Sequence, residues 1–177
     1  AACSAWGISP HDELVENVAR SLGADVAFFL RGGCGLYEGK GDRFVQALEA
    51  GTRSVVLVKP DAGVPTAQAY AAFDENPALI TEEERAELLA AHAASDVSLQ
   101  NNLAPAAESL VPELAKIRTW LASQPGVAAA MLSGSGSATF ALCDSFEVAC
   151  AAATAACKRG WWARTTSLSP ARAAVVP

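Results

Sequence analysis

Apolar residues at helical spacing define the first element of the chain. Leu14, Val18 and Leu22 are four residues apart, which places them on one face of a helix. We expect Ser9 to cap this helix, because its hydroxyl can accept a hydrogen bond from a free first-turn amide. Gly23 is expected to end it, since glycine tolerates the backbone conformation that follows a last helical turn.

The next segment contains no polar residues, so it shows neither helical nor strand periodicity. Residues 26–30 are all apolar, and a short run of this kind favours a buried strand. Five glycines follow within residues 32–41, and this density of turn-forming positions predicts a hairpin.

The pattern changes after residue 50. Residues 54–58 form a largely β-branched run, which is typical of a central strand. Helical spacing then predicts three helices, at residues 66–73, 81–93 and 112–123. The remaining predicted elements are a strand at 127–132, a turn at 133–137, a strand at 138–143, a helix that ends before Gly160 and a strand at 161–166.

The order of these elements predicts the fold class. A strand, helices, two strands, a helix and a strand form the split βαβ, or ferredoxin-like, arrangement with extra helices inserted, so the class is α+β. We expect residues 51–177 to form one domain and residues 1–50 to be the end of another. Residues 1–7 have the character of a helix tail without an initiator methionine, so further sequence is expected upstream.

Composition and charge restrict the function classes. Hydrophobic residues make up 51% of the chain and charged residues 18%, which is enough apolar material for a buried core. The net charge of −6 gives no electrostatic reason to bind nucleic acid or an anionic membrane. No apolar run approaches the ~20 residues that span a bilayer.

Cysteine usage predicts neither a metal site nor a disulfide framework. The five cysteines are odd in number, and no pair has C-x-x-C spacing. Small thiols of this kind fit a reducing compartment, and the expected location is the cytoplasm.

Asp25 is the first candidate for chemistry. It stands where the predicted helix turns into the predicted buried strand, and a carboxylate on rigid elements is suited to act as a general base. The alternative is a structural role, in which Asp25 accepts hydrogen bonds from nearby turn amides. Spacing alone favours the structural role.

The second candidate is the glycine-rich turn at residues 133–137. Ser133, Gly134, Ser135 and Gly136 lie between two predicted strands, and successive amides in such a turn can form an anion-binding nest. The alternative is an ordinary glycine-rich hairpin loop, and the pattern alone favours this alternative because such tracts are common. The turn is not a Walker A loop, because no lysine follows it.

The third candidate lies at the start of the helix predicted from residue 66. The hydroxyl of Thr66 could cap this helix or meet a ligand, and Tyr70 lies one turn further on the same face. The ring of Tyr70 could stack on a planar base. The alternative is a helix cap with a tyrosine in the core.

The order of these segments resembles the GHMP kinases. The G-A-D-V-A-F-F-L segment at residues 23–30 resembles the G-[AS]-D-V-P-F-[FC] motif of the diphosphocytidyl-methylerythritol kinases. The G-V-P-T of residues 63–66 is similar to their G-V-S-T, and the N-N-L-A-P-A of residues 101–106 to their N-D-L-E-P-A. The S-G-S-G-S of residues 133–137 resembles the third GHMP motif, S-G-S-G-[PS]-T.

This resemblance implies a fold and an activity. The fold would be the C-terminal domain of a GHMP kinase, preceded by the tail of the N-terminal kinase domain. The activity would be transfer of the ATP γ-phosphoryl group, with Mg²⁺, to the 2-hydroxyl of 4-diphosphocytidyl-2-C-methyl-D-erythritol in non-mevalonate isoprenoid precursor synthesis.

The resemblance also assigns roles to residues. Asp25 matches the catalytic aspartate, Thr66 and Tyr70 match substrate-pocket positions, and Ser133, Gly134, Ser135 and Gly136 match the loop that supports the nucleotide site. Ala27, Asn102 and Ala104 depart from the family pattern. The phosphate-binding loop and catalytic lysine of the family would precede residue 1, so we expect the isolated chain to be inactive.

Two other interpretations stay open. One is a different GHMP kinase of the homoserine or mevalonate type. The other is a non-catalytic ferredoxin-like binding module. The sequence is compatible with either a monomer or a homodimer.

Overall fold

The computed structural model describes residues 2–169, which form two compact units. The first unit contains the residues up to Gly51 together with Ala86–Val97. The second contains Thr52–Arg85 together with Ser98–Leu168. Each unit is described separately below.

The first unit has three helices followed by a hairpin. The helices are α1 (Ala2–Ala5), α2 (Glu13–Leu22) and α3 (Ala24–Arg31), and the hairpin strands are β1 (Gly35–Glu38) and β2 (Arg43–Ala47). The two strands pair antiparallel, as the glycine-rich sequence predicts. Tyr37 of β1 packs edge-to-face on Phe44 of β2, with ring centroids 5.4 Å apart.

The cap of α2 differs from the prediction. Asp12 is the capping residue, and its Oδ1 accepts a hydrogen bond from the amide of Leu14 at 2.9 Å. Ser9 instead accepts from the amide of His11 at 3.2 Å. Asp12 immediately precedes the helix, whereas Ser9 is separated from it by Pro10 and His11. Gly23 ends α2, as predicted.

The strand predicted at residues 26–30 is wrong, because this segment belongs to α3. The amides of Val26 and Ala27 both donate to the carbonyl of Gly23, at 3.2 and 3.3 Å, and start a helix immediately after α2. Ala27 is buried while Phe29 is 68% exposed. The segment is therefore one-sided, as a surface helix is, and a short apolar run does not reveal this in the sequence.

An ion pair fixes α3 beside α2. The guanidinium of Arg31 donates to the Glu16 carboxylate at 2.6 Å, and it also lies 4.3 Å from the centroid of the Phe44 ring. The predicted stripe of Leu14, Val18 and Leu22 does lie on α2, but its members are 71%, 50% and 71% exposed. Helix α2 buries Ala19 instead.

The second unit contains a four-stranded antiparallel sheet in the order β4-β5-β3-β6. Its strands are β3 (Ser54–Lys59), β4 (Val127–Leu132), β5 (Thr139–Cys143) and β6 (Trp162–Ser167). The helices after β3 are α4 (Thr66–Glu75), α5 (Glu82–Ala90), which contributes residues to both units, α6 (Ala104–Leu110) and α7 (Glu113–Ala122), and α8 (Phe146–Lys158) joins β5 to β6.

This topology confirms the predicted α+β split βαβ arrangement with inserted helices. β3 occupies an inner position, as its β-branched sequence predicts, and pairs with β5 and β6. Helix α6 was not predicted. It has only seven residues and a proline in its first turn, so the sequence shows little helical periodicity there. Within residues 2–169, none of the helices combines the length and the apolar character needed to cross a bilayer.

The core of the second unit lies between one face of the sheet and helices α7 and α8. Val56 and Val58 of β3 are fully buried against Ile117 and Leu121 of α7. Three alanines of α8 complete the core: Ala149, Ala152 and Ala156. Small side chains let α8 approach the sheet closely, which is how an alanine-rich sequence builds a dense core.

Thr139 is an isolated polar residue in this core. Its side chain is 0% exposed, and its hydroxyl has no hydrogen-bond partner among residues 2–169. The register places it opposite Val58 on β3 and Leu132 on β4, so its surroundings are apolar. An unpaired buried hydroxyl is a local cost to stability.

We therefore expect Thr139→Val to raise the free energy of unfolding by about 1 kcal/mol, because valine has the same shape without the unpaired hydroxyl. Urea unfolding of the chain measures this as a higher midpoint at an unchanged slope. The matched control is Thr154→Val on α8, where the hydroxyl donates to the Cys150 carbonyl at 2.9 Å. A gain for Thr154→Val that equals the gain for Thr139→Val would contradict the explanation.

Candidate active site

The loop at residues 133–137 connects β4 to β5, as predicted. Two backbone hydrogen bonds close it: the amide of Ser133 donates to Ala138 at 2.8 Å, and the amide of Gly136 donates to Ser133 at 2.9 Å. Gly134 and Gly136 have φ values of 56° and 90°, which glycine adopts without strain. No hydrogen bond within residues 2–169 uses the amides of Gly134 and Ser135.

Thr66 contacts this loop directly. Its Oγ1 lies 3.2 Å from the Oγ of Ser135, which is 69 residues further along the chain. Thr66 is the first residue of α4, and no side chain caps that helix. The interpretation of Thr66 as a helix cap is therefore wrong, and its hydroxyl contacts the loop instead.

Tyr70 lies one turn after Thr66 on α4. Its side chain is 52% exposed, while its neighbour Ala69 is fully buried. The alternative of a core tyrosine is therefore wrong, because the ring lies at the surface. An exposed ring one helical turn from a hydroxyl can stack on a planar group while the hydroxyl binds a polar part of the same ligand.

The segment before α4 also touches the loop. A Cβ placed on Gly136 would lie 3.1 Å from Cγ2 of Val64 and 3.3 Å from Cδ1 of Leu132. Glycine is thus required at 136 both for its backbone angle and for the close approach of Val64. Two contacts, one polar and one apolar, join the loop to residues 64–66.

Asn101 opens the N-N-L-A-P-A segment that resembles a family motif, but the sequence assigned no role to its side chain. Its Nδ2 donates to the carbonyls of Leu132 and Gly134, each at 2.8 Å, and its Oδ1 accepts from the amide of Leu103 at 2.9 Å. An asparagine that bonds an amide two residues on is a common local pattern. The two long-range bonds to the loop have no sequence signal, since any carbonyl could have accepted them.

Asp25 belongs to the first unit, whereas the loop and Thr66 belong to the second. It lies in the first turn of α3, at the helix N-terminus, where the helix dipole favours a negative charge. Its side chain is exposed, and no hydrogen bond or ion pair within residues 2–169 engages its carboxylate. The structural interpretation, a carboxylate bonded to turn amides, is therefore wrong, and the expected position at the start of a buried strand is wrong as well.

Metal ligands are not grouped in this part of the chain. Residues 2–169 contain no cluster of three or more histidine, cysteine, aspartate or glutamate side chains placed to hold a metal ion. The five cysteines are free thiols.

The two loop glycines give a matched pair for testing the close packing at Gly136. Gly134→Ala should lower the free energy of unfolding by about 1 kcal/mol, because alanine is strained at positive φ and a Cβ there meets nothing within 4 Å. Gly136→Ala should cost clearly more, since its methyl would also meet Val64 and Leu132. Denaturant unfolding measures both variants.

Adding Val64→Ala to Gly136→Ala should recover part of that extra loss, whereas Val64→Ala combined with Gly134→Ala should recover nothing. Equal losses for the two single variants would show that close packing at Gly136 is not the constraint.

The chain is similar in sequence to known kinases. Residues 76–160 match the sequence model of the family described as GHMP kinases C terminal. The chain is 39% identical over 142 residues to a 4-diphosphocytidyl-2-C-methyl-D-erythritol kinase of Desulfitobacterium hafniense, covering 78% of this chain and 49% of the relative. It is 40% identical over 154 residues to the enzyme of that name from Corynebacterium efficiens, covering 84% and 48%.

Solved structures agree with the sequence relatives. A crystal structure of 4-(cytidine 5'-diphospho)-2C-methyl-D-erythritol kinase matches with a TM-score of 0.64 and 31% identity, over 94% of this chain and 60% of the other. A homoserine kinase from Cytophaga hutchinsonii matches at 0.57 and 21% identity over 81% and 50%, which shows a shared fold. The chain spans about half the length of the curated relatives it matches. Residues 76–160 therefore carry a region that matches the C-terminal part of the GHMP kinases, and the similarity to the kinases named above extends over most of this chain.

Proposed function

We propose that the complete protein is an ATP-dependent kinase that phosphorylates the 2-hydroxyl of 4-diphosphocytidyl-2-C-methyl-D-erythritol. The observation that carries the proposal is the contact between Thr66 and Ser135 at 3.2 Å, beside the exposed ring of Tyr70. It joins the segment proposed for the cytidine substrate to the loop proposed for the nucleotide. In this proposal residues 1–50 end the N-terminal domain and residues 51–177 form the C-terminal domain.

Asp25 would be the general base of the reaction. Its carboxylate would accept the proton of the 2-hydroxyl as the oxygen bonds the γ-phosphorus and the bond from that phosphorus to the β,γ-bridging oxygen breaks, releasing ADP. The exposed position of Asp25, with no described hydrogen bond, leaves both carboxylate oxygens available to accept a proton. Because Asp25 lies in the first turn of α3, the helix fixes the direction in which its side chain leaves the backbone.

Tyr70 and Thr66 would recognise the substrate. Cytosine is planar, and stacking on the exposed tyrosine ring would remove one of its faces from water. Thr66 would present its hydroxyl to a polar group of the same molecule. A binding site for homoserine or mevalonate has no use for an exposed stacking ring, and the likeness to a homoserine kinase at 21% identity extends to the fold alone.

The loop at residues 133–137 has a donor set that suits a phosphate. The amides of Gly134 and Ser135 are unused within residues 2–169, and consecutive free amides in a glycine turn form an anion-binding concavity. Mg²⁺, which neutralises phosphate charge in such reactions, would be held mainly by phosphate oxygens and water, as this ion usually is. That arrangement needs no cluster of protein carboxylates.

We expect Asp25→Asn in the complete protein to lower kcat by about 10²–10⁴-fold, because asparagine keeps the shape but cannot accept the proton. Steady-state phosphoryl transfer measures the loss, and circular dichroism should show a folded variant. The matched control is Glu13→Gln, which neutralises another exposed acid in the first turn of a helix and should keep normal turnover. Normal turnover by Asp25→Asn would exclude Asp25 as the base.

We expect Tyr70→Ala to raise KM for the cytidine substrate by about 10–100-fold, because it removes base stacking worth roughly 1–3 kcal/mol. Tyr70→Phe keeps the ring and should stay within about threefold of the unmodified protein. The KM for ATP serves as the internal control and should not move. Phosphorylation of homoserine in preference to the cytidine compound would favour the other GHMP reaction.

A further inference from the structure

We propose that Asn101 is a positioning residue that sets the direction in which the amide of Ser135 points. This inference rests on the proposed kinase function, because it assigns a purpose to that amide. The contacts themselves belong to the second unit and exist whatever the substrate is. Asn101 stands 31 residues before Leu132 and 33 before Gly134 in the sequence.

The side-chain amide of Asn101 uses both of its hydrogen atoms, one on β4 and one on the loop. Nδ2 carries two, and it lies 2.8 Å from the carbonyl oxygen of Leu132 and 2.8 Å from that of Gly134. Leu132 is the last residue of β4, and Gly134 is in the loop. One side chain therefore bridges the end of the strand and the first bend of the loop.

The other end of the same side chain is fixed as well. Oδ1 accepts a hydrogen bond from the amide of Leu103 at 2.9 Å, just before α6 begins. This bond prevents the amide group from rotating to exchange its oxygen and nitrogen, because a rotated group would place two donors against each other. The donor side of Asn101 is thus held toward the loop.

Holding the carbonyl of Gly134 determines the orientation of a whole peptide unit. The Gly134–Ser135 peptide is trans, so its C=O and its N–H lie in one plane and point in opposite directions. With the carbonyl directed at Asn101, the amide of Ser135 is directed away from Asn101. That amide has no partner within residues 2–169, so it is the group that a phosphate oxygen would meet.

A second tether acts on the same residue. The hydroxyl of Ser135 lies 3.2 Å from that of Thr66, so the side chain and the backbone of Ser135 are held from different segments. Without Asn101, Gly134 could rotate freely, since glycine accepts both signs of φ. A flipped peptide would present a carbonyl oxygen to the phosphate and repel it.

Asn101→Asp tests this proposal with a nearly isosteric change. The carboxylate keeps the acceptor for Leu103 but replaces both donors with an oxygen that faces two carbonyl oxygens. In the complete protein we expect kcat/KM for ATP to fall by about 100-fold, because two hydrogen bonds are lost and a carboxylate oxygen faces two carbonyl oxygens at a half-buried position. The matched control is Asn102→Asp, the same change one residue on, at a position where no hydrogen bond within residues 2–169 engages the side chain and where the related motif has aspartate.

The pH dependence separates positioning from general destabilisation. A protonated aspartic acid can donate one hydrogen bond, and the two carbonyl oxygens that face position 101 would raise the pKa of an aspartate there above its ordinary value of about 3.9. The activity of Asn101→Asp relative to the unmodified protein should therefore rise as pH falls from about 8 to about 5. Asn101→Ala lacks a proton to regain, and it should lose about tenfold at every pH. If the relative activity of Asn101→Ala rises at low pH as much as that of Asn101→Asp, the proposal is overturned.

Amide hydrogen exchange tests whether Asn101 holds the loop closed, without any assay of activity. The amide of Gly136, which donates to Ser133 at 2.9 Å, reports whether the loop is closed. NMR on the chain should show at least about tenfold faster exchange at Gly136 in Asn101→Asp and Asn101→Ala, and unchanged exchange in Asn102→Asp. Unchanged exchange in the Asn101 variants would overturn the positioning role of Asn101. Faster exchange in those variants, together with no phosphoryl transfer by the complete unmodified protein, would refute the kinase proposal alone.

Discussion

The register between β3 and β5 is the constraint that places the candidate site in the second unit. Val58, near the end of β3, lies opposite Thr139, the first residue of β5. In an antiparallel pair the chain leaving one strand runs beside the chain entering the other. The segment after β3, which contains Val64 and Thr66, therefore meets the loop before β5. The buried face of the sheet fixes that register, since a shift by one residue would turn Val56 and Val58 to the opposite face.

Strands and helices with a clear period could be predicted from the sequence. The β-branched run of β3 indicates a strand, and the stripe of Leu114, Ile117 and Leu121 on α7 indicates both a helix and its buried face. Their order along the chain was enough for the split βαβ topology. The register could not be predicted in this way, because many pairs of strand residues satisfy the same alternation of apolar side chains.

The failure at residues 26–30 has a physical origin. A run of Val26, Ala27, Phe28, Phe29 and Leu30 contains no polar residue to show which face is exposed. The decision between strand and helix then depends on Gly23, whose carbonyl accepts the first two bonds of α3. Because of the same error, Asp25 was expected at the start of a strand, whereas it lies exposed at the start of a helix. The reading of Thr66 as a cap failed for a related reason, since its partner Ser135 is remote in sequence.

The tethers of the loop share one property that suits a phosphate site. Asn101, Thr66 and Ser135 are neutral, so the hydrogen bonds that hold the loop depend on no ionisable side chain. In the proposed phosphoryl transfer the charge on the reacting oxygens would change, and a loop held by ion pairs would reorganise in response. Dipoles that are already oriented stabilise developing charge without that cost. If the proposed reaction takes place beside this loop, a neutral amide at 101 keeps the loop geometry constant while the charge on the phosphate changes.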